Sequence, residues 1–209
     1  MFIPTHMRGT TLGEGPRAFP YFFLFCLILI SSLGSLLSHS IAGAQQTEKG
    51  ELSTFDRLAE EATLLNKRGQ ADKVIALLEP YKKDKKNDSA LFFNELGVAY
   101  RQKDNFREAI ASYQEALKRD PENPVIKKNL GDAFFFNKEL PQAIAQYQKA
   151  LESNPRFYQA HFSLGMAYYQ LEKYREALEE FETVIKLNPQ NEQAKKLRDT
   201  IRTKLKEKK

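Results

Sequence analysis

With 209 residues and 42% hydrophobic content, the chain is long enough for one folded domain together with a targeting segment. Its formal charge of +5 sits toward the C-terminal end: residues 45–189 carry 22 Lys/Arg against 23 Asp/Glu, a balance of −1, whereas residues 190–209 carry eight against three. A neutral body argues against a nucleic-acid-binding face, and the lone cysteine, Cys26, lies in the N-terminal apolar run, which excludes disulfides and thiolate metal sites downstream. His161 is the one histidine beyond residue 44, so a site needing two imidazoles cannot be built in one chain, and no cofactor is expected.

The stretch from Phe19 to Leu37 is uncharged, follows Arg8 and Arg17, and gives way to Ala42-Gly43-Ala44. A basic start, an apolar core and a small-x-small end are the parts of a signal peptide, with cleavage expected after Ala44. The competing reading of residues 1–44 is an uncleaved membrane anchor, since nineteen helical residues at about 1.5 Å each nearly cross a hydrocarbon core of about 30 Å. Either way the flanking arginines stay on the cytoplasmic side and the rest is exported. A bacterial periplasm is the expected location, with a eukaryotic secretory lumen as the alternative. Residues 45–54 read as a short linker.

Over residues 55–89, Leu58, Ala62 and Leu65, then Ala71, Val74, Leu78 and Tyr81, recur at helical spacing around the turn Arg68-Gly69-Gln70. Beyond them the chain repeats. Gly97, Gly131 and Gly165 stand 34 residues apart, each after a leucine (Leu96, Leu130, Leu164). At fixed distances behind each glycine come an aromatic (Tyr100, Phe134, Tyr168), an alanine (Ala109, Ala143, Ala177), a second aromatic (Tyr113, Tyr147, Phe181) and a proline (Pro121, Pro155, Pro189). Two helices per unit follow, the second stopped by the proline. A glycine in a helix interior costs about 1 kcal/mol against alanine, so its recurrence points to close packing. The expectation is that the glycine and the second helix's alanine let two backbones approach while aromatics fill the space beside them.

This pattern closely resembles the tetratricopeptide repeat family. The resemblance covers three units, 90–123, 124–157 and 158–191, with 55–89 as a degenerate fourth lacking the Leu-Gly pair and carrying Lys86 where the proline would stand. The family's tryptophan is replaced by Phe93, Lys127 and His161 in turn. Residues 192–209, with Ala194, Leu197, Ile201 and Leu205 on a highly charged helix, read as the capping helix that a repeat array needs. The implied fold is all-α, a right-handed α-solenoid or superhelix whose first helices line a concave groove.

The family's groove positions fall on Leu91, Asn94, Val98 and Arg101, then Val125, Lys128, Asp132 and Phe135, then Gln159, Phe162, Met166 and Tyr169. Of these, Asn94, Val98, Lys128, Asp132, Phe135, Phe162, Met166 and Tyr169, with Asn129 nearby, are the candidate ligand residues. The rings and Met166 suit hydrophobic anchors of a partner peptide, and Asn94 and Asn129 suit its backbone. The alternative is that Phe135, Phe162 and Tyr169 pack on one another. The carboxylate clamp of some family members would fall on Asn94, Val98, Asn129, Gln159 and Ser163, of which Asn129 alone matches. Glu179, Glu180 and Glu182 read as surface charges without an orienting histidine, and the basic end as a solvated face. The resemblance therefore implies no enzyme but a scaffold, adaptor or assembly factor that binds a protein partner, while the N-terminal segment points to the cell envelope and membrane association, and the neutral body to no nucleic acid. A self-associating structural component is the alternative.

Overall fold

The computed structural model describes residues 53–207. The signal-peptide or anchor reading of 1–44 lies outside the described residues. Within them the chain forms helices throughout: α1 (Thr54–Lys67), α2 (Ala71–Leu78), a 3₁₀ turn (Glu79–Tyr81), α3 (Ala90–Gln102), α4 (Phe106–Arg119), α5 (Pro124–Phe136), α6 (Leu140–Ser153), α7 (Tyr158–Gln170), α8 (Tyr174–Leu187) and α9 (Glu192–Glu207). No described helix is long and apolar enough to cross a membrane. Successive helices pack on each other in pairs, an all-α solenoid of helical repeats.

Local chemistry sets the boundaries. Ser53, Ser89 and Asn123 cap α1, α3 and α5 by accepting hydrogen bonds from the first free N–H groups, and Pro124 opens α5, where its missing N–H is harmless. Asp120, Asn154 and Asn188 precede prolines and leave the helical region, with ψ of 80°, 92° and 86°, which ends α4, α6 and α8. Between the helices of each pair the chain turns through a left-handed residue: Gly69, Asp104, Lys138 and Glu172. The first pair departs from the sequence reading. Its second helix stops at Leu78 and tightens into the 3₁₀ turn that contains Pro80, rather than running on toward Lys86.

The three glycines have a different neighbour from the one expected. A Cβ on Gly97 would stand 2.7 Å from Tyr113 Cε1, on Gly131 2.5 Å from Tyr147 Cε1, and on Gly165 3.1 Å from Phe181 Cε1. Thus the second aromatic of each unit packs directly on the glycine, and it is the ring, not the alanine backbone, that requires a bare Cα. Tyr147 cannot move aside, because it is buried and its hydroxyl donates to Asp132. Gly131→Ala should therefore lose about 1–3 kcal/mol despite its better helix propensity. Gly165→Ala, against a ring that needs to yield only slightly, should cost less. Thermal unfolding of the two variants checks this, and an unchanged melting temperature for Gly131→Ala would refute it.

The core runs along the stack in three clusters joined by shared rings. Phe134 packs on both the α1–α5 cluster and the α5–α7 cluster, and Tyr168 on both the latter and the α7–α9 cluster. At the end, α9 buries Ala194 and Ile201 against α8, and Arg202 reaches Glu182 at 2.7 Å.

One histidine fastens a turn. His161 Nδ1 lies 2.6 Å from Glu180 Oε2 and Nε2 lies 3.0 Å from the Pro155 carbonyl. Both partners accept, so both ring nitrogens must donate, and the geometry calls for the imidazolium. The bond to Glu180 raises the His161 pKa above its ordinary value, against an opposing effect of burial. Glu180 is thus not the plain surface charge expected from sequence. A raised folded pKa gives stability that is complete below the unfolded pKa of about 6.5 and is lost as pH rises through the folded value. The melting temperature should fall by a few degrees from mildly acidic to mildly alkaline pH, and His161→Gln should remove most of that slope. A slope unchanged in the variant would assign it to other groups.

Candidate peptide groove

The first helices of the pairs, α3, α5 and α7, carry the groove positions side by side. Between them lies a cavity of about 410 Å³ lined by Arg101, Lys128, Asp132, Phe135, Phe136, Tyr147, Phe162, Ser163 and Met166. Five of the expected residues meet here: Lys128, Asp132, Phe135, Phe162 and Met166. Helical periodicity brings Asp132, Phe135 and Phe136 to one end of α5, and Phe162 and Met166, four apart, onto one stripe of α7.

The walls are apolar. Phe136, 48% exposed, stacks on Phe106 with centroids 6.0 Å apart and meets Phe135 edge-on at 5.5 Å. Phe162 stands edge-on to buried Phe181 at 5.5 Å, so part of its ring belongs to the core. Tyr169 instead pairs with Tyr174 at 5.7 Å, outside the cavity lining. The three rings named from sequence thus take three different partners.

The floor is polar and largely saturated. Asp132, 9% exposed, accepts from the Tyr147 hydroxyl at 3.0 Å and from the Ser163 hydroxyl at 3.3 Å, and pairs with Lys128 at 2.7 Å. Burial first, and the Asp132 carboxylate second, push the Tyr147 pKa far up, so its hydroxyl remains a donor. Asn129 donates to Asn94 at 3.0 Å, Asn94 donates to Glu95 at 3.1 Å, and Glu95 accepts from Asn66 at 2.7 Å. The two asparagines expected to hold a ligand's backbone are therefore bonded to each other, in a ladder reaching from α1 to α5. Val98 packs partly buried against the α1–α5 core.

Arg101, Phe136, Tyr147 and Ser163 were not among the expected site residues. Arg101 falls on one of the family's groove positions, while Tyr147 stands in the column of second aromatics expected in the core. Arg101 lies beside the buried Tyr113 hydroxyl, where the charge and hydrogen bond of the guanidinium oppose the rise that burial gives the Tyr113 pKa.

A larger cleft of about 650 Å³ lies between α4, α5 and α6, over Leu117, Leu130 and Phe134. It opens where Lys127 takes an aromatic position, and that ammonium is already held by Glu122 at 3.0 Å and Ser153 at 2.7 Å. Its cation is therefore committed.

A model described as tetratricopeptide repeat matches residues 128–192, and one described as surface lipoprotein assembly modifier, N-terminal TPR repeats, matches residues 48–143. Among solved structures, the first tetratricopeptide domain of Spaghetti (RPAP3), bound to the HSP90 peptide SRMEEVD, is 31% identical with a TM-score of 0.55, covering 56% of this chain and 93% of that one. The Arabidopsis OM64 tetratricopeptide domain is 27% identical with a TM-score of 0.54, covering 56% and 96%. MamA is similar in fold, at 20% identity and a TM-score of 0.62 over 71% and 87%. No curated protein matches the chain. Identity above 30% across nearly the whole of a tetratricopeptide domain, on the same helical-pair architecture, shows that the chain belongs to the tetratricopeptide repeat family.

Proposed function

We propose that the chain is a non-catalytic adaptor of the cell envelope that holds a segment of a partner protein in the groove between α3, α5 and α7. The cavity walled by Phe135, Phe136, Phe162 and Met166 carries this reading, because exposed Phe136 and the partly buried rings and thioether beside it form an open recess that receives apolar side chains. Each anchor residue buried there should contribute about 1.5–3 kcal/mol. The Spaghetti domain, solved with a peptide, supports a peptide as the kind of ligand. The uncharged run from Phe19 to Leu37 and the match to the N-terminal repeats of surface lipoprotein assembly modifiers support an exported location. On this reading the protein is soluble in the periplasm after cleavage near Ala44, or tethered to the inner membrane.

Crosslinked pull-down from envelope fractions tests this, comparing the parent with Phe135→Ala/Met166→Ala. These two residues line the cavity, while Tyr169 does not, so they report on the groove. A partner captured by the parent and lost from a variant with unchanged helicity supports the reading. An unchanged partner list removes the groove from it, and recovery of this chain alone favours a self-associating component instead.

A further inference from the structure

We infer that the cleft between α4, α5 and α6 is a docking site for a tryptophan side chain of another protein. It shares no lining residue with the groove cavity and is a second site. The chain supplies its own comparison, because Phe93, Lys127 and His161 stand 34 residues apart at the same point of three successive units. In the first of these the Phe93 ring is buried, and the Arg119 guanidinium lies 4.0 Å over it. Arg119 also donates to the Asn87 carbonyl, from Nε at 3.1 Å and Nη2 at 2.8 Å. In the third unit the His161 ring takes the same place and lies 3.0 Å from the Pro155 carbonyl. Asn87, Pro121 and Pro155 are again 34 apart, so both of these seams hold a ring and meet the equivalent carbonyl. The middle seam does neither. Lys127 turns its ammonium to Glu122 and Ser153, and no described residue donates to the Pro121 carbonyl. Gln146 stands where Glu180 holds His161, and its side chain makes no hydrogen bond to a described residue. The cleft of about 650 Å³ opens at this seam, over Leu117, Leu130 and Phe134.

An occupant that completes the seam needs a flat apolar face and an N–H on its edge. The floor takes the face, while the Pro121 carbonyl and the Gln146 amide oxygen are acceptors for the N–H. Lys118 and Lys149 stand exposed on the rim, and cations favour the face of an electron-rich ring, indole most of all. Lys118 also pairs with Glu115, whereas Lys149 has no carboxylate partner among the described residues. Glu122 and Glu152 line the cleft as well, so a neutral occupant fits this mixed rim better than a charged one. Indole meets all of these conditions. Phenylalanine lacks the donor and leucine lacks the ring. The chain contains no tryptophan, so the side chain comes from a different protein and not from a second copy. Exposed Lys118, Lys149 and Glu152 leave the recess an open surface trough, over which a protein segment can pass while one side chain enters.

Because the chain has no tryptophan, indole emission reports on the ligand alone. The full chain in mild detergent is titrated into a blocked Gly-Ser-Trp-Ser-Gly peptide, with the signal in detergent alone subtracted. A saturable rise in anisotropy with blue-shifted emission is expected. In competition, peptides with Phe or Leu in place of Trp should bind at least about tenfold more weakly, about 1.4 kcal/mol. A peptide methylated on the indole nitrogen, which keeps the ring and loses the donor, should bind about three- to tenfold more weakly. Lys127→Phe should fill the seam as Phe93 does and abolish binding, with the melting temperature kept or raised. Lys118→Glu/Lys149→Glu, at two exposed positions, should weaken binding about threefold or more without touching the core. Phe135→Ala/Met166→Ala should leave binding unchanged, which separates this site from the groove. No saturable binding, equal binding of the Leu peptide, or binding that survives Lys127→Phe overturns the inference. Loss in the groove variant alone places the ring in the groove and overturns it too, and free tryptophan binding as tightly as the peptide makes the cleft a small-molecule site instead.

Discussion

Asp132→Ala should be among the most destabilising single changes in the groove, losing about 3 kcal/mol or more. Its carboxylate is the common acceptor for three donors on three helices: Lys128 of α5, Tyr147 of α6 and Ser163 of α7. Removing it leaves a partly buried ammonium without its counter-charge and a buried phenol without its acceptor, and breaking a buried pair on one side costs far more than the pair contributes intact. Asp132→Asn should fall between, since an amide oxygen can still accept from Tyr147 while its N–H₂ faces the Lys128 ammonium. Urea unfolding of the two variants gives the comparison. If alanine and asparagine are equally mild, the cluster is solvated and the floor is not structural.

Phe92→Ala should be comparably severe, at about 3–5 kcal/mol, but its damage should be local. The side chain is 0% exposed and meets Phe55 of α1 edge-on at 6.1 Å and Phe93 at 5.2 Å. It is therefore the ring on which α1 docks. In a repeat array each unit leans mainly on its neighbours, so amide exchange should quicken over α1 and α2 first and leave α7 to α9 nearly as protected as before. Uniform loss of protection along the chain would mean that the array unfolds as a single cooperative block.

Most of the fold could be read from columns of residues 34 apart, because a helical pair repeated in register has to place its glycine, rings and proline at the same points each time. What the columns conceal is which neighbour answers each residue. Tyr113, Tyr147 and Phe181 formed a visible column, yet that they lie on Gly97, Gly131 and Gly165 depends on how the second helix crosses the first. Pro80 lies off the 34-residue register, so the repeat pattern carries no sign of the short α2.

The groove was legible as a face and illegible as a set of bonds. The family's groove positions, carried onto this sequence, named Phe135, Phe162 and Met166. They could not show that Asn129 would reach Asn94 in the preceding unit, or that Glu180 would meet His161. Least visible was Asp132 as a shared acceptor, because its three donors come from three helices, a property of the assembled helices and not of any segment.

Phe134 and Tyr168, each shared by two core clusters, have a mechanical consequence. Three cores coupled through half-buried rings form a chain of stiff beads with softer seams. A load drawn along the stack would concentrate strain at those two rings, and the molecule would lengthen in discrete steps.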